Sequence, residues 1–304
     1  MTDTLQKYLF EDRSVRAQTV KLRQTWQDAQ AHHQYPPAVS RLLGELLAAA
    51  TLLAANLKFD GALVLQLQGD GPVALIVVEC RAGLQVRATV KLREGQDIPG
   101  EAGLQSLLNP GRGGRFIVVL DPQARGAGQQ PYQGVVPLEG ESVAEVLEHY
   151  MRASEQLDTR IWLQADAQRA AGLLLQRLPR QGGTPAPADE AAETWNRACH
   201  LADTLKPGEL LSTDGATLVR RLYWQETLRA FDPQPVSWHC PCSREKVGDM
   251  LRMLGVAEVE SILSERGEVD VTCEFCGKPY QFDAVDCAGL FAGAAPPPDK
   301  PTLH

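Results

Sequence analysis

Between Leu84 and Leu92 the chain alternates without a break: Leu84, Val86, Ala88, Val90 and Leu92 are apolar, and Gln85, Arg87, Thr89 and Lys91 lie between them. A β-strand turns successive side chains to opposite faces, so the pattern predicts a strand with one face in a core and one toward water. Ahead of it come the alternating Leu63, Leu65 and Leu67, a Gly69-Asp70-Gly71-Pro72 turn, the apolar run Val73 to Val78, and a second turn at Arg81-Ala82-Gly83. Together these predict an antiparallel meander. Tyr35-Pro36-Pro37 followed by Val39, Leu42, Leu43, Leu46 and Leu47 puts prolines at a start and apolar residues at helical spacing, predicting a helix to about Lys58. Further strands are predicted at Arg115 to Leu120, Tyr132 to Leu138 and Thr159 to Ala165. Ser142, with Glu145 three residues on and Val143, Val146, Leu147, Tyr150 and Met151 on one face, predicts a helix opened by a capping box.

The fold class expected is α+β: an N-terminal domain of antiparallel sheet with helices over 1–179, a helical linker region, and a small C-terminal zinc-binding α/β domain. Arg180 to Glu190, reading RQGGTPAPADE, has the glycine and proline content of a connection. Short helices are predicted after it at Trp195 to Leu205 and Thr217 to Thr227, with apolar faces thin enough that this region, 180–236, is expected to depend on its neighbours. The C-terminal domain is placed at 237–291 and a disordered tail with three successive prolines at 292–304.

With 304 residues there is room for about two domains. The net charge of -8 repels a phosphate backbone, and without a local basic patch no nucleic-acid partner is expected. Met1 to Phe10 has no basic-then-apolar signal pattern, and the apolar run Leu46 to Ala55 is about half a membrane span, so a buried helix, no membrane partner and a cytoplasmic location are expected.

Cysteine changes the picture most. Of seven, Cys80 and Cys199 lie early and five fall between Cys240 and Cys287. Cys240-Pro241-Cys242 and Cys273-Glu274-Phe275-Cys276 are two close pairs separated by thirty residues, which suits tetrahedral zinc because each pair supplies two thiolates and the excursion folds back to close the site. Val269 to Thr272 and Tyr280 to Phe282 read as strands around the second pair, with Gly277 free to take a positive φ. Val247, Met250, Leu251 and Leu254 predict a covering helix capped by Ser243. The alternative use of the four cysteines is as core thiols. His239 is expected to flank the site, and Cys80, Cys199 and Cys287 to fill core space. Structural zinc contributes on the order of 10–16 kcal/mol of apparent binding free energy, against about 5–15 kcal/mol for a whole domain, so losing the metal can unfold the domain; a permanently closed clamp is the commoner use of four cysteines, and the motif alone does not exclude it.

Other chemistries fare worse. Cys273 to Cys276 could mark a thiol oxidoreductase, but Gly277-Lys278-Pro279 blocks the helix such a motif opens. A zinc-ribbon nucleic-acid module is opposed by five Lys/Arg against ten Asp/Glu over 237–291. Gly69 to Ala74 mimics a dinucleotide fingerprint with β-type residues following it, and Gly111-Arg112-Gly113-Gly114-Arg115 reads as a loop tip, so no nucleotide partner and no catalytic or cofactor-binding residue is expected.

The chain resembles the 33 kDa heat shock protein family of redox-regulated holdase chaperones. The likeness is carried by YLFEDRSVRAQ, by YPPAVSRLLGELLAAATLLAANLKFDGALVLQLQGDGPV, by YQGVVPLEGESVAEVLEHYMRASEQLDTRIWL, and by CPCSREKV with VTCEFCGKPYQFD. It implies one zinc per chain on Cys240, Cys242, Cys273 and Cys276, and a reduced form that is nearly inactive. On oxidation, it further implies disulfides Cys240 to Cys242 and Cys273 to Cys276, unfolding of the zinc domain and linker, a homodimer, and ATP-independent binding of unfolding clients during stress. A constitutive zinc-containing binding module stands as the alternative.

Overall fold

A computed structural model of the chain describes residues 2–57, 61–122, 131–179 and 188–292. The architecture is mixed α+β, as the sequence predicts. Two units are formed, residues 1–239 and residues 240–304.

In the first unit the chain runs β1 (Thr4–Phe10), β2 (Val15–Leu22), α1 (Gln24–Gln30), α2 (Pro37–Ala54), β3 (Gly61–Gln68), β4 (Val73–Arg81), β5 (Gln85–Leu92), α3 (Leu104–Leu108), β6 (Arg115–Pro122), β7 (Tyr132–Pro137), α4 (Val143–Ala153), β8 (Thr159–Ala165) and β9 (Ala170–Arg177). It continues through α5 (Ala188–Ala202), α6 (Glu209–Ser212), α7 (Gly215–Leu222), β10 (Leu228–Ala230), β11 (Gln234–Pro235) and β12 (Ser237–Trp238). These strands make two six-stranded sheets, one ordered β10-β1-β2-β9-β8 with β11 also on β1, the other β12-β5-β4-β3-β6-β7. The predicted meander is β3-β4-β5, antiparallel throughout, with β12 added in parallel to β5.

Helix α2 lies in the core between the sheets. Leu43, Leu46, Leu47 and Leu52 meet Leu5 and Val20 of one sheet and Leu65, Ile76 and Val86 of the other. It is long and apolar enough to cross a membrane by length and composition, yet 67% of it is buried inside the unit, as a core helix requires. The helix stops at Ala54, short of the predicted Lys58, which lies outside the described residues. Ser142 caps α4 by accepting from the Glu145 N–H, but the Glu145 carboxylate takes the Glu141 N–H instead of returning to Ser142, so the box closes on one side only.

Strands β1, β2 and β9 carry no clean alternation and fall outside the strands that the sequence predicts. Their outer face is not open to water: Tyr8, Phe10, Val15, Ala17, Leu173 and Leu175 pack against Ala198, Leu210, Leu218, Leu222 and Tyr223 of the α5–α7 layer. Phe10 meets Tyr223 edge to face at 5.3 Å, and the Tyr223 hydroxyl donates to the Ala198 carbonyl at 3.2 Å. Leu173 to Leu175 of β9 form the continuous apolar run of a strand covered on both faces, and Gln6, Lys7, Arg16 and Gln18 interrupt β1 and β2, so period-two logic finds none of the three. The first predicted linker helix starts earlier, at Ala188. The second spans Gly215–Leu222, and its predicted end instead leads into β10. Residues 180–187 and the tail 293–304 lie outside the described residues.

The second unit is α8 (Arg244–Leu254), α9 (Val256–Arg266), the hairpin β13 (Val269–Thr272) and β14 (Pro279–Phe282), and α10 (Ala284–Phe291). Its core cluster of buried residues is Leu251, Val259, Val269, Tyr280, Phe282 and Cys287.

Candidate metal centre

Two turns bring the four predicted cysteines together. Cys240 and Cys242 sit just ahead of α8, whose first turn is fixed by Ser243 accepting from the Lys246 N–H at 3.2 Å, the cap the sequence predicts. Cys273 and Cys276 occupy the turn between β13 and β14. There Gly277 takes φ 65°, its N–H donates to the Cys273 carbonyl at 2.8 Å, and the Cys273 N–H donates to Lys278 O at 3.0 Å. A side chain with a Cβ is disfavoured at that φ, which is why the knuckle carries glycine. Past Cys276 the chain enters strand β14 and not a helix, so the arrangement lacks the strand-turn-helix setting of a thioredoxin-like motif.

The four sulfurs lie within 4.8 Å of one another. Cys240 Sγ is 3.7 Å from Cys273 Sγ, and Cys242 Sγ is 3.3 Å from Cys276 Sγ. A tetrahedron with metal–sulfur bonds of about 2.3 Å has edges of about 3.8 Å, so the sulfurs are spaced as ligands of one ion. The protonation chemistry agrees. Burial raises the Cys240 and Cys276 thiols above their ordinary range. Burial also opposes ionisation of Cys242, but hydrogen bonds from the Tyr280 hydroxyl and the neighbouring thiols outweigh it and bring that thiol down to about 7. Cys242 thus ionises more readily than Cys240 and Cys276, and a cation would help to ionise the latter two. The four cysteines could therefore hold a metal ion.

Two supporting residues are not signalled by the sequence. Tyr280, buried in β14, donates its hydroxyl to Cys242 Sγ at 3.1 Å. Arg244 bonds the Gln281 carbonyl and the Asp286 carboxylate, each at 2.6 Å, and lies over the Phe282 ring at 4.2 Å, tying α8 to β14 and α10. Nothing in the motif points to either one, since each contact spans more than thirty residues.

The remaining candidates fall elsewhere. Cys287 is in the small core of the second unit, and Cys80 and Cys199 are buried in the first, where burial lifts their thiols to about 12 and about 11. Such thiols are poor nucleophiles at neutral pH. His239 is not among the clustered ligands; its backbone N–H donates to the Val86 carbonyl at 3.0 Å. The two glycine-rich stretches face each other, with the Asp70 carboxylate accepting from Gly111 N–H at 3.2 Å and Gly113 N–H at 2.8 Å. That carboxylate occupies the donors a phosphate would need, so both stretches are structural turns.

Comparison with known proteins gives the family. A family model described as Hsp33 protein matches residues 3–283. The chain is 46% identical to the 33 kDa chaperonin of Methylobacillus flagellatus, covering 100% of this chain and 99% of that protein. It is 45% identical to the 33 kDa chaperonin of Ectopseudomonas mendocina, covering 100% of both. A crystal structure of the 33 kDa chaperonin from Thermotoga maritima superposes with a TM-score of 0.76 at 21% identity, over 95% of this chain and 98% of that one, which extends the likeness to the fold. The relatives are named as chaperonins and not as enzymes, and the chain belongs to the Hsp33 family.

Proposed function

We propose that this chaperone is an ATP-independent holdase whose client binding is switched on by oxidation of Cys240, Cys242, Cys273 and Cys276, which in the reduced state bind one zinc ion. The observation that carries the reading is the cluster of four sulfurs within 4.8 Å on a unit whose own core is small. Zinc, when bound, keeps sulfurs as thiolates and fastens the segment before α8 to the β13–β14 turn.

The protein's part follows from its residues. A peroxide oxidises Cys240 with Cys242 and Cys273 with Cys276; each pair of thiolates gives up two electrons as its disulfide forms, and these, with two protons taken from water, reduce one peroxide to two waters. Once both pairs are disulfides the cluster has no thiolate donor left, and the second unit must stand on its small apolar core. Small cores of this kind are unstable without a staple. The domain division 1–179, 180–236, 237–291 and tail belongs to the same proposal. Segment 180–236 is the releasable element, because its described helices bury their apolar faces on one sheet and its last strands lead by chain directly to Cys240. Its departure would uncover Tyr8, Phe10, Leu173 and Leu175, an apolar face suited to an unfolding client. The names of the relatives support a client-binding role; a cytoplasmic location, action under oxidative stress and a homodimer in the oxidised state complete the proposal.

Zinc release and suppression of client aggregation, followed together during peroxide treatment, test it. Both are expected to rise in parallel and to reverse with a thiol reductant. Full activity in the reduced, zinc-loaded protein would instead make this a constitutive binding module.

A further inference from the structure

The α6–α7 segment does not close completely on the sheet beneath it. At the end of β1, β2 and β9 it leaves a cleft of about 610 Å³, floored by Thr4, Thr19 and Lys21 and roofed by Ser212 to Ala216, with Pro233 at its side and Arg23 and Arg169 also lining it. Roof and floor touch nearby: a Cβ on Gly215 would lie 2.6 Å from the Thr19 Oγ1.

The charges in this cleft are unevenly satisfied. Asp3 accepts from the Arg23 N–H at 2.8 Å and the Thr25 N–H at 2.6 Å, and Asp214 caps α7 by accepting from the Thr217 N–H at 3.0 Å. Both carboxylates are thus committed to backbone donors. Arg169 reaches the roof, donating to Leu211 O at 3.3 Å. The Lys21 Nζ is buried and has no hydrogen-bond partner among the described residues. Burial lowers its ammonium to about 8, with Arg169 opposing the charge and Asp214 favouring it. A buried ammonium without a partner is costly, and an ordered water, an ion or a ligand can complete it.

We propose that this cleft binds the phosphate group of a small molecule, which pairs with Arg169 and draws the buried Lys21 ammonium out to it, and thereby fastens the α6–α7 segment to the sheet. Phosphate fits better than a single carboxylate because it has oxygens enough for several cationic donors at once. The clamp rests on the reading of 180–236 as the releasable element; the binding itself does not. A ligand that touches both walls binds only the docked arrangement, so at a concentration 100 times its Kd it lowers the undocked population about 100-fold. The metabolite would then set how much oxidation is needed to free the segment.

The test uses the full-length, reduced, zinc-loaded protein titrated calorimetrically with inorganic phosphate and with pyrophosphate, against sodium chloride at matched ionic strength. Saturable binding is expected for the phosphates only, weakened at least tenfold by Lys21→Met and restored by Lys21→Arg. Hydrogen exchange over 209–222 is expected to slow as the site fills. No saturation at millimolar phosphate, an equal response to chloride, or unchanged affinity in K21M overturns the site. Should K21M lose the native circular dichroism, Arg169→Gln carries the same comparison. Saturable binding with unchanged exchange over 209–222 overturns the clamp. Failure of redox switching would leave the titration unaffected and so be told apart.

Discussion

Helix α2 and the four-cysteine cluster hold their units together by opposite means. Around α2, Leu43, Leu46, Leu47 and Leu52 are enclosed by side chains from two six-stranded sheets, and the stabilisation is hydrophobic, spread over dozens of residues and indifferent to oxidants. In the second unit the buried core among the described residues is the small cluster of Leu251, Val259, Val269, Tyr280, Phe282 and Cys287, with partly buried residues such as Val247, Ile262 and Leu290 around it, and the segments carrying the cysteines meet through sulfur. With a metal on those four atoms, as proposed, that stability could be removed by one chemical event. The α5–α7 layer stands between these cases: it has a genuine apolar interface, centred on Phe10 and Tyr223, but contributes only one side of it.

The largest expected effect separates the two units outright. Chelation of the metal should cost the second unit on the order of 10 kcal/mol of apparent folding free energy and erase amide protection over 244–291, while β3, β4 and α2 keep theirs. Hydrogen exchange read by mass spectrometry before and after chelation checks this. Retained protection at Val269 to Phe282 would show that the small core suffices, and the comparison would collapse.

Next comes the intermediate layer. Phe10→Ala removes one partner of the edge-to-face pair and leaves a hole under α7, with an expected loss of roughly 3–5 kcal/mol. If the layer is separately releasable, the variant should show faster exchange over 188–222, bind an apolar dye while reduced, and suppress aggregation at lower oxidant. A uniform loss of stability across the whole first unit would instead make the layer an integral part of the core.

Within that core, pH offers a finer probe. Glu45 is on α2, and burial raises its carboxyl from 4.5 to about 7, partly offset by Arg41. An acid held protonated by the fold and ionised in the unfolded chain favours folding below 4.5; the advantage is lost progressively as pH rises from 4.5 through 7. The first unit should therefore lose up to about 3 kcal/mol across that interval relative to Glu45→Gln, measured by urea unfolding at each pH. A parallel pH profile in E45Q would remove Glu45 as the cause.

How much of this was legible in the sequence tracks the same division. The meander β3-β4-β5, helix α2 and strand β8 could be read because each has one covered face, or a length and composition that only one element fits. Strands β2 and β9 could not, because both their faces are covered and the covering layer comes from residues far along the chain. All four sulfur donors were visible, since two local turns supply them and their spacing is a local property. Tyr280 and Arg244 were not: an aromatic residue in a short strand and an arginine at a helix start have many uses, and only the folded hairpin decides which.

Tyr280 also supplies the smallest effect, and the most specific one. Its hydroxyl donates to Cys242 Sγ at 3.1 Å, so it stabilises that sulfur as an anion and fixes its direction toward the cluster. Tyr280→Phe keeps the ring in the core beside Val269 and Phe282 and deletes only this donor. Zinc affinity, measured by competition with a chelating dye, should fall roughly tenfold, about 1.4 kcal/mol, with the urea midpoint of the first unit unchanged. Without the donor the Cys242 sulfur carries more of its charge itself and should react faster with peroxide, so zinc loss and the onset of client binding should both come earlier. Unchanged affinity and unchanged peroxide kinetics would mean that the hydroxyl merely fills space beside the sulfur, and that the tuning of this centre lies entirely in the four cysteines.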